Sequence, residues 1–256
     1  MIRACWLLAA LAGLLQPAQA LPAQAERIVS LNLCTDQYLV LLAPEKIAGL
    51  TLLSRDPSLS VVARQAAHLP VVRADAEAVL ALHPSLVLAT QWGAQTTLAA
   101  LERQGIRVVR TGLAQDFPAI RAQTTALAAL LGASQRGAAL LARMDALLAA
   151  PKAAPTEALW LAPRGYTVGP GSLEAAVLRA AGLTPIGQGR QVGLETLLAH
   201  PPALLVTAQA PGFPSLATNL LTHPALAALP RRTIPPALLA CGGPWTAGAV
   251  RLLEGK

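Results

Sequence analysis

The chain has 256 residues, of which 54% are hydrophobic, 13% charged and 3% aromatic, and its formal net charge is +7. This length suits one large or two small domains. The arginines are scattered singly and aromatic residues are few, so the sequence contains neither a basic stripe nor a stacking platform for nucleic acid. We therefore expect no nucleic-acid partner.

The first twenty residues are expected to be a cleavable signal peptide. Arg3 precedes an apolar run over residues 4–15, and the small residues Ala18 and Ala20 are typical of a cleavage site. The run is too short for a transmembrane helix, which needs about 20 apolar residues. The sequence therefore predicts an exported, soluble protein that begins near residue 21.

Strands and helices alternate through the first half of the mature chain. Predicted strands cover residues 27–32, 47–50, 86–90 and 106–109, and predicted helices cover residues 35–43, 59–67, 75–82, 96–104 and 116–131. Thr35 is the expected N-cap of the first helix. This alternation indicates βαβ units and a parallel sheet. We expect an N-terminal α/β lobe over residues 21–132.

A long helix interrupts this alternation in the middle of the chain. Residues 134–150 place apolar side chains on one face, and Pro151 and Pro155 close the segment. Because no strand lies on either side, we expect residues 133–154 to form a stiff helical connector. Residues 155–256 then predict a second α/β lobe, with strands at 158–161, 204–208 and 232–234 and helices at 172–181, 194–200, 215–221 and the C-terminus.

One element occurs in both predicted lobes. Residues 76–90 (AEAVLALHPSLVLAT) and 194–208 (LETLLAHPPALLVTA) each combine a short amphipathic helix, a proline and an apolar run that suits a buried parallel strand. Glu77 and Glu195 occupy the same position in the two copies. Two similar lobes favour a ligand cleft between them. The alternative interpretation is an ordinary helix-to-strand turn that occurs twice.

Motifs for catalysis and metal binding are absent from the sequence. It contains no G-x-S-x-G, no phosphate-binding G-x-x-x-x-G-K-[ST] and no H-E-x-x-H pattern. The four histidines are dispersed, and His83, His200 and His223 precede prolines, which indicates turn positions. The sequence therefore predicts a protein that is not an enzyme and has no metal site formed by its own side chains.

Candidate ligand contacts follow from the rule that ligands bind beyond the carboxyl ends of parallel strands. The loops selected are 32–36, 90–94, 163–166, 209–213 and 241–245. Aromatic rings suit a flat apolar ligand face, and arginines suit anionic groups. The expected contacts are Asn32, Thr35, Asp36, Trp92, Arg164, Tyr166, Arg190 and Trp245. The alternative is that the three aromatic residues only fill the ends of the lobes.

Cys34 and Cys241 are the two cysteines of the predicted mature chain. In an oxidising compartment an even pair favours a disulfide. Two thiolates that contact a metal or a metal-containing ligand are one alternative. A second is an exported α/β enzyme in which Cys34 is a nucleophile that acts with a histidine such as His68.

The residues above resemble those of periplasmic substrate-binding proteins of iron-chelate and cobalamin ABC importers. The resemblance is carried by residues 27–32 (RIVSLN), the E-x-x-L-x-x-x-P element of both lobes and the mid-chain helix. It implies two mainly parallel α/β lobes joined by one rigid helix, with a ligand clamped between them. The implied ligand is a metal chelate (a ferric siderophore, cobalamin or heme), and no resident cofactor is expected.

The same resemblance implies a periplasmic monomer whose partner is an inner-membrane ABC permease. In cobalamin-binding members the glutamate of each repeat copy docks onto permease arginines, which implies this role for Glu77 and Glu195. The alternative is that both are first-turn glutamates stabilised by the helix dipole. Residues 34–37 (CTDQ) depart from the small uncharged residues of such relatives, so the ligand stays open. A ligand sensor without transport is a further alternative.

Overall fold

A computed structural model describes residues 26–149, 155–208 and 216–254. The strands are β1 (Ile28–Ser30), β2 (Ile47–Gly49), β3 (Leu86–Thr90), β4 (Arg107–Thr111), β5 (Glu157–Trp160), β6 (Thr184–Pro185), β7 (Leu204–Ala208) and β8 (Arg231–Ile234). The helices are α1 (Leu33–Leu42), α2 (Ala63–Ala66), α3 (Ala76–Leu80), α4 (Gln95–Arg103), α5 (Phe117–Leu130), α6 (Ser134–Leu148), α7 (Leu173–Ala180), α8 (Leu194–Ala199) and α9 (Ala247–Leu253). The predicted signal peptide lies outside the described residues.

The strands form two parallel four-stranded sheets with the same topology. The order is β2-β1-β3-β4 in the first sheet and β6-β5-β7-β8 in the second, and every pair of neighbouring strands is parallel. We call the first sheet with α1 to α5 the N-lobe, and the second sheet with α7 to α9 the C-lobe. The predicted two-lobed α/β class is confirmed.

The two copies of the repeated element occupy equivalent places in the two sheets. The first copy forms α3 and β3, the second forms α8 and β7, and both strands are inner strands of their sheets. All five residues of β3 are buried, because a parallel sheet is covered on both faces. One face of the N-lobe sheet packs against α1 and α5, and the other packs against α3 and α4.

The mid-chain helix α6 packs against two other helices, α5 and α9. α6 contacts α5 on one side and α9 on the other, and Met144 is buried in a cluster that also contains Ile120 of α5 and Ala247 of α9. A Cβ on Gly137 would lie 2.4 Å from the Cβ of Ala128, so the approach of α6 to α5 requires glycine. Most of the predicted connector 133–154 is thus helical, and residues 150–154 lie outside the described ranges.

Several element boundaries differ from those that the sequence predicts. α1 begins at Leu33, and its N-cap is Asn32, whose side-chain oxygen accepts a hydrogen bond from the Cys34 amide at 2.8 Å. The prediction of Thr35 as N-cap is therefore wrong. The predicted helix at 59–67 shrinks to α2, and residues 216–222 form turns where a helix was expected. No helix of the described residues is long and apolar enough to cross a membrane.

Candidate functional site

Exposed apolar side chains cluster at the carboxyl edge of the N-lobe sheet. Leu52 and Leu53 follow β2 and are 67% and 51% exposed, Trp92 follows β3 and is 58% exposed, and Leu113 follows β4 and is 47% exposed. In a parallel sheet the carboxyl ends of all strands share one edge, so these residues surround the same surface. We call these four residues the N-lobe platform. Singly such residues are ordinary, but a group at a strand-end edge indicates a binding surface.

Short-range hydrogen bonds hold Trp92 on this platform. The Thr90 hydroxyl donates to the Trp92 carbonyl at 2.7 Å, and the Gln95 side-chain amide donates to the Gln91 and Gly93 carbonyls. Gly93 has a φ of 80°, in the left-handed region that favours glycine. The loop between β3 and α4 therefore presents the indole ring without burying it.

In the C-lobe the predicted residues Arg164, Tyr166 and Arg190 lie on two adjoining loops. Tyr166 pairs with Gln191 in an antiparallel bridge, and the Gln191 side-chain amide donates to the Arg164 carbonyl at 2.6 Å. The Thr167 amide donates to the Arg190 carbonyl at 2.9 Å. The structure therefore brings these three residues together. Tyr166 is 50% exposed, and both arginines are exposed.

The turn that carries Arg164 has an unusual backbone. Arg164 adopts a φ of 62° and Gly165 a φ of 78°, and a Cβ on Gly165 would lie 2.4 Å from the Val192 carbonyl oxygen. Within the described ranges neither Arg164 nor Arg190 makes a side-chain hydrogen bond or an ion pair, although many other arginines of the protein do. Two guanidinium groups are thus free to meet an anionic ligand.

Two of the predicted contacts, Thr35 and Asp36, are not available to a ligand. Both are fully buried in α1. The Thr35 hydroxyl bonds to the Ser30 hydroxyl at 2.7 Å, and the Asp36 carboxylate accepts hydrogen bonds from the amide and the hydroxyl of Thr51. Asn32 is partly exposed, but its side chain caps α1. The structure therefore corrects the assignment of Thr35 and Asp36 to the ligand surface.

Burial has the largest influence on the pKa values of Asp36 and Tyr38, which both lie on α1. It raises the pKa of Asp36 from 3.8 to about 7, while hydrogen bonds from Ser30 and Thr51 lower it. Burial likewise raises the pKa of Tyr38 to about 12, against a hydrogen bond with Thr124. Asp36 is thus a carboxyl group whose charge changes near neutral pH.

Cys34 and Cys241 are joined in the structure, with their Cα atoms 5.3 Å apart. The bond links α1 of the N-lobe to the segment before α9. With both sulfur atoms in this bond, neither is free to act as a nucleophile or a thiolate ligand. The pair packs with Leu33, Leu59 and Trp245.

Trp245 lies at the junction of the two lobes, where it packs against the Cys34–Cys241 pair. Its ring centroid is 5.1 Å from that of Tyr38, and its indole N–H donates to the Cys241 carbonyl at 3.2 Å. It also lines a cavity of about 260 Å³ between α1 and α6, together with residues such as Leu41 and Met144. The predicted ligand role of Trp245 is not supported by this position. The loop 241–245 does not directly follow a strand, because a 3-10 turn separates it from β8.

Sequence reasoning missed the loops after β2 and β4. The rule on strand ends, applied to every predicted strand, would have selected Leu52, Leu53 and Leu113. A cavity of about 690 Å³ follows the first of these loops and is lined by Pro57, Ser60, Val61, Ala63, Arg64 and Gln65. A third, of about 290 Å³, lies beside Arg190 and Thr167 in the C-lobe. The predicted loop 209–213 lies outside the described residues.

Glu77 and Glu195 hold equivalent, exposed positions. Each is the second residue of its helix, α3 or α8. Neither belongs to an ion pair within the part of the chain that the structure describes. The caps differ, because Asp75 accepts a hydrogen bond from the Ala78 amide at 2.8 Å, whereas Gly193 provides no side-chain cap.

Metal ligands are not grouped in the described residues, which contain no cluster of three or more His, Cys, Asp or Glu side chains suited to an ion. The predicted turn positions of the histidines agree with their geometry. His83 has a positive φ, and His223 accepts a hydrogen bond from the Ala225 amide.

A family profile described as "Periplasmic binding protein" matches residues 28–230. The chain belongs to this family. The predicted class of protein is thereby confirmed, and the family implies a periplasmic location. Among curated proteins, no sequence match was found.

Solved structures of similar proteins span nearly the whole chain. A periplasmic heme-binding protein from Pseudomonas aeruginosa is 25% identical, with a TM-score of 0.67, over 90% of this chain and 91% of that one. The heme-binding protein HutB of Vibrio cholerae is 18% identical, with a TM-score of 0.72, over 90% and 98%. The vitamin B12-binding protein BtuF of Vibrio cholerae is 19% identical, with a TM-score of 0.62, over 90% and 96%. These are binding proteins with the same two-lobed fold.

Proposed function

We propose that this periplasmic binding protein captures a metal chelate between its lobes and delivers it to an inner-membrane ABC permease. The observation that carries the proposal is the contrast between the two strand-end surfaces. The N-lobe presents the apolar platform of Leu52, Leu53, Trp92 and Leu113, and the C-lobe presents Tyr166 with two unpaired arginines. A ligand with a flat apolar face and anionic groups at its edge satisfies both surfaces.

Heme, cobalamin and ferric siderophores are the ligands to compare. The structural relatives include proteins described as heme-binding and vitamin B12-binding, which supports a chelate of this size and shape. Heme joins a large apolar plane to two carboxylates and matches the contrast between the surfaces best. The site supplies no metal cluster of its own among the described residues, so recognition would rest on the organic part of the chelate.

Fluorescence titration tests this proposal directly. Heme, cobalamin and a ferric siderophore absorb at the emission wavelengths of tryptophan, and exposed Trp92 would lie in contact with the ligand. We expect saturable quenching with one of the three and loss of that quenching in Trp92→Leu. Trp160, which is buried in the C-lobe core, gives a matched control: Trp160→Phe should leave the quenching largely intact. Absence of saturable binding by all three chelates would contradict the proposal.

Delivery to the permease is assigned to Glu77 and Glu195. Both carboxylates are exposed, unpaired and placed equivalently on the two lobes, as a two-fold permease would require. The variant Glu77→Ala with Glu195→Ala should lose transport in proteoliposomes while its Kd for the chelate stays unchanged. Glu174 is a matched control, because it is also the second residue of a helix, α7. Glu174→Ala should transport normally.

Two outcomes would separate this function from its alternatives. An equal loss of ligand affinity in the double glutamate variant would contradict the docking role. Full ligand binding without any stimulation of a permease would favour a sensor. We also propose processing after residue 20, lobes at 21–132 and 155–256, and a monomer in solution. Mass spectrometry and light scattering of the exported protein test these assignments.

A further inference from the structure

The most exposed part of the N-lobe platform lies on a short turn that is held at both ends by hydrogen bonds. Leu52 and Leu53 belong to the 3-10 turn Leu52–Arg55, and more than half of each side chain is exposed. At the end of the turn, the Arg55 side chain donates to the Ala66 and Leu69 carbonyls. At its start, Thr51, the residue before the turn, carries the hydrogen bonds that lie beside the two leucines.

Asp36 receives these hydrogen bonds from inside the lobe. Its two carboxylate oxygens each lie 3.3 Å from the Thr51 amide nitrogen, and one of them also accepts a short hydrogen bond from the Thr51 hydroxyl. The Ser54 hydroxyl donates to the Thr51 carbonyl at 2.7 Å, and Ser54 is itself buried. The residue before the turn is thus fastened to α1, and the two exposed leucines follow it directly.

A buried carboxyl group in this position lowers the stability of the fold. Asp36 is fully buried, and it belongs to no ion pair in the described ranges. Burying an unpaired carboxylate is strongly unfavourable, and an apolar residue at this point of α1 would pack without that penalty. What the carboxylate provides that an apolar side chain does not is two acceptors aimed at one residue of the adjoining turn.

We propose that Asp36 is a positioning residue that fixes the Leu52–Arg55 turn and so holds Leu52 and Leu53 in the ligand-binding face. This inference rests on the proposed function, because it assigns those leucines to the chelate site. It gives the buried residue a role in binding without any contact between Asp36 and the ligand. Cys34 lies two residues away on the same helix, so the turn, α1 and the C-lobe form one connected unit.

Three variants test the proposal with the chelate that quenches Trp92 as the probe. Asp36→Ala removes both acceptors, and we expect faster amide exchange at residues 51–55 together with about 10-fold weaker binding. Asp36→Asn keeps one acceptor for the Thr51 amide and offers a donor to the Thr51 hydroxyl, so it should restore both measurements to near the wild-type values. Leu52→Ala with Leu53→Ala should weaken binding similarly while exchange at Thr51 stays slow.

The outcomes separate the inference from the proposed function. Faster exchange in Asp36→Ala with an unchanged Kd would overturn the inference and leave the function standing. Full binding by the double leucine variant would overturn it as well. If Asp36→Ala does not fold, a Kd in Asp36→Asn that is weakened as much as in the double leucine variant would overturn it. If the wild-type protein bound none of the chelates, both the proposed function and this inference would be contradicted.

Discussion

The two lobes share a framework and differ in the surfaces they present to the cleft. Both sheets have the same strand order, and the repeated helix–proline–strand element occupies the same place in each. The N-lobe carries exposed leucines and a tryptophan after its strands, whereas the C-lobe carries two arginines and a tyrosine together with the exposed Leu216, which comes after β7. The comparison indicates that the sheets provide a common scaffold, while the loops at their carboxyl ends carry the differences between the lobes.

The lobes also differ in which parts of the chain build their cores, because a C-terminal segment packs against the N-lobe. The N-lobe core contains Tyr38, which packs against Trp245 from the other end of the chain, and its hydroxyl lies 3.4 Å from the Gly242 carbonyl. A Cβ on Gly242 would lie 2.2 Å from the Ala114 carbonyl oxygen, so the C-terminal segment fits closely against the N-lobe. α9 then continues into the C-lobe core through Val250 and Leu253. The segment just before α9 thus packs against the N-lobe, while α9 itself packs in the C-lobe core.

The largest expected effect comes from breaking the covalent link between the lobes. Cys34→Ser with Cys241→Ser should lower the free energy of unfolding by about 4 kcal/mol, because the bond restrains residues 207 positions apart in the unfolded chain. Urea denaturation of oxidised wild type and the double variant measures the difference. Adding reductant to the wild type is the matched control. Two free thiols in the native wild-type protein would contradict the bond.

The next largest effect is the pH dependence of the free energy of unfolding that Asp36 causes. Burial raises its pKa in the folded protein from 3.8 to about 7, so between these values the folded protein binds more protons than the unfolded chain. Its contribution to stability is therefore lost as pH rises from about 4 to 7, by up to about 4 kcal/mol. Asp36→Asn removes this titration and should gain stability relative to wild type over that range. A constant difference between the two proteins from pH 5 to pH 8.5 would contradict the raised pKa.

A smaller effect is expected on ligand affinity when the two arginines of the C-lobe surface are replaced. Arg164→Glu with Arg190→Glu should weaken binding of an anionic chelate about 100-fold, because repulsion replaces two charge-assisted contacts. Arg107→Glu is the control, since Arg107 is exposed at the start of β4, the opposite edge of the N-lobe sheet. It should leave the Kd within about twofold of the wild type. Equal losses in both variants would mean that net charge, and not the C-lobe surface, governs binding.

The sequence predicted the architecture more fully than the site. Hydrophobic periodicity and prolines placed most strands and helices, because burial on both faces of a parallel sheet leaves a strong pattern. Arg164, Tyr166 and Arg190, which were selected through the strand-end rule and a neighbouring loop, lie together in the structure, and their contact with a ligand stays a prediction. The loop of Trp245 does not directly follow a strand, and its glycines and aromatic residue gave no sign of this in the sequence.

The error at Asp36 has a more specific cause. α1 begins at Leu33, two residues before the predicted start, so Thr35 and Asp36 lie buried in its first turn instead of in a strand-end loop. Either Asn32 or Thr35 satisfies the composition rule for an N-cap, and only the tertiary structure distinguishes them. Leu52 and Leu53 gave no signal by composition, because exposed leucines carry information only when their neighbours in space are known.

The pairing of Cys34 with Cys241 sets an order of events for the newly made chain. Translation produces Cys34 207 residues before its partner, so the Cys34 thiol stays unpaired until the end of the chain has been made. Trp245, whose indole packs against Tyr38, is synthesised only a few residues after Cys241. The N-terminal half therefore gains its cystine and its contact with Trp245 only after residues 241–245 have been made, and a chain that ended before them would lack both.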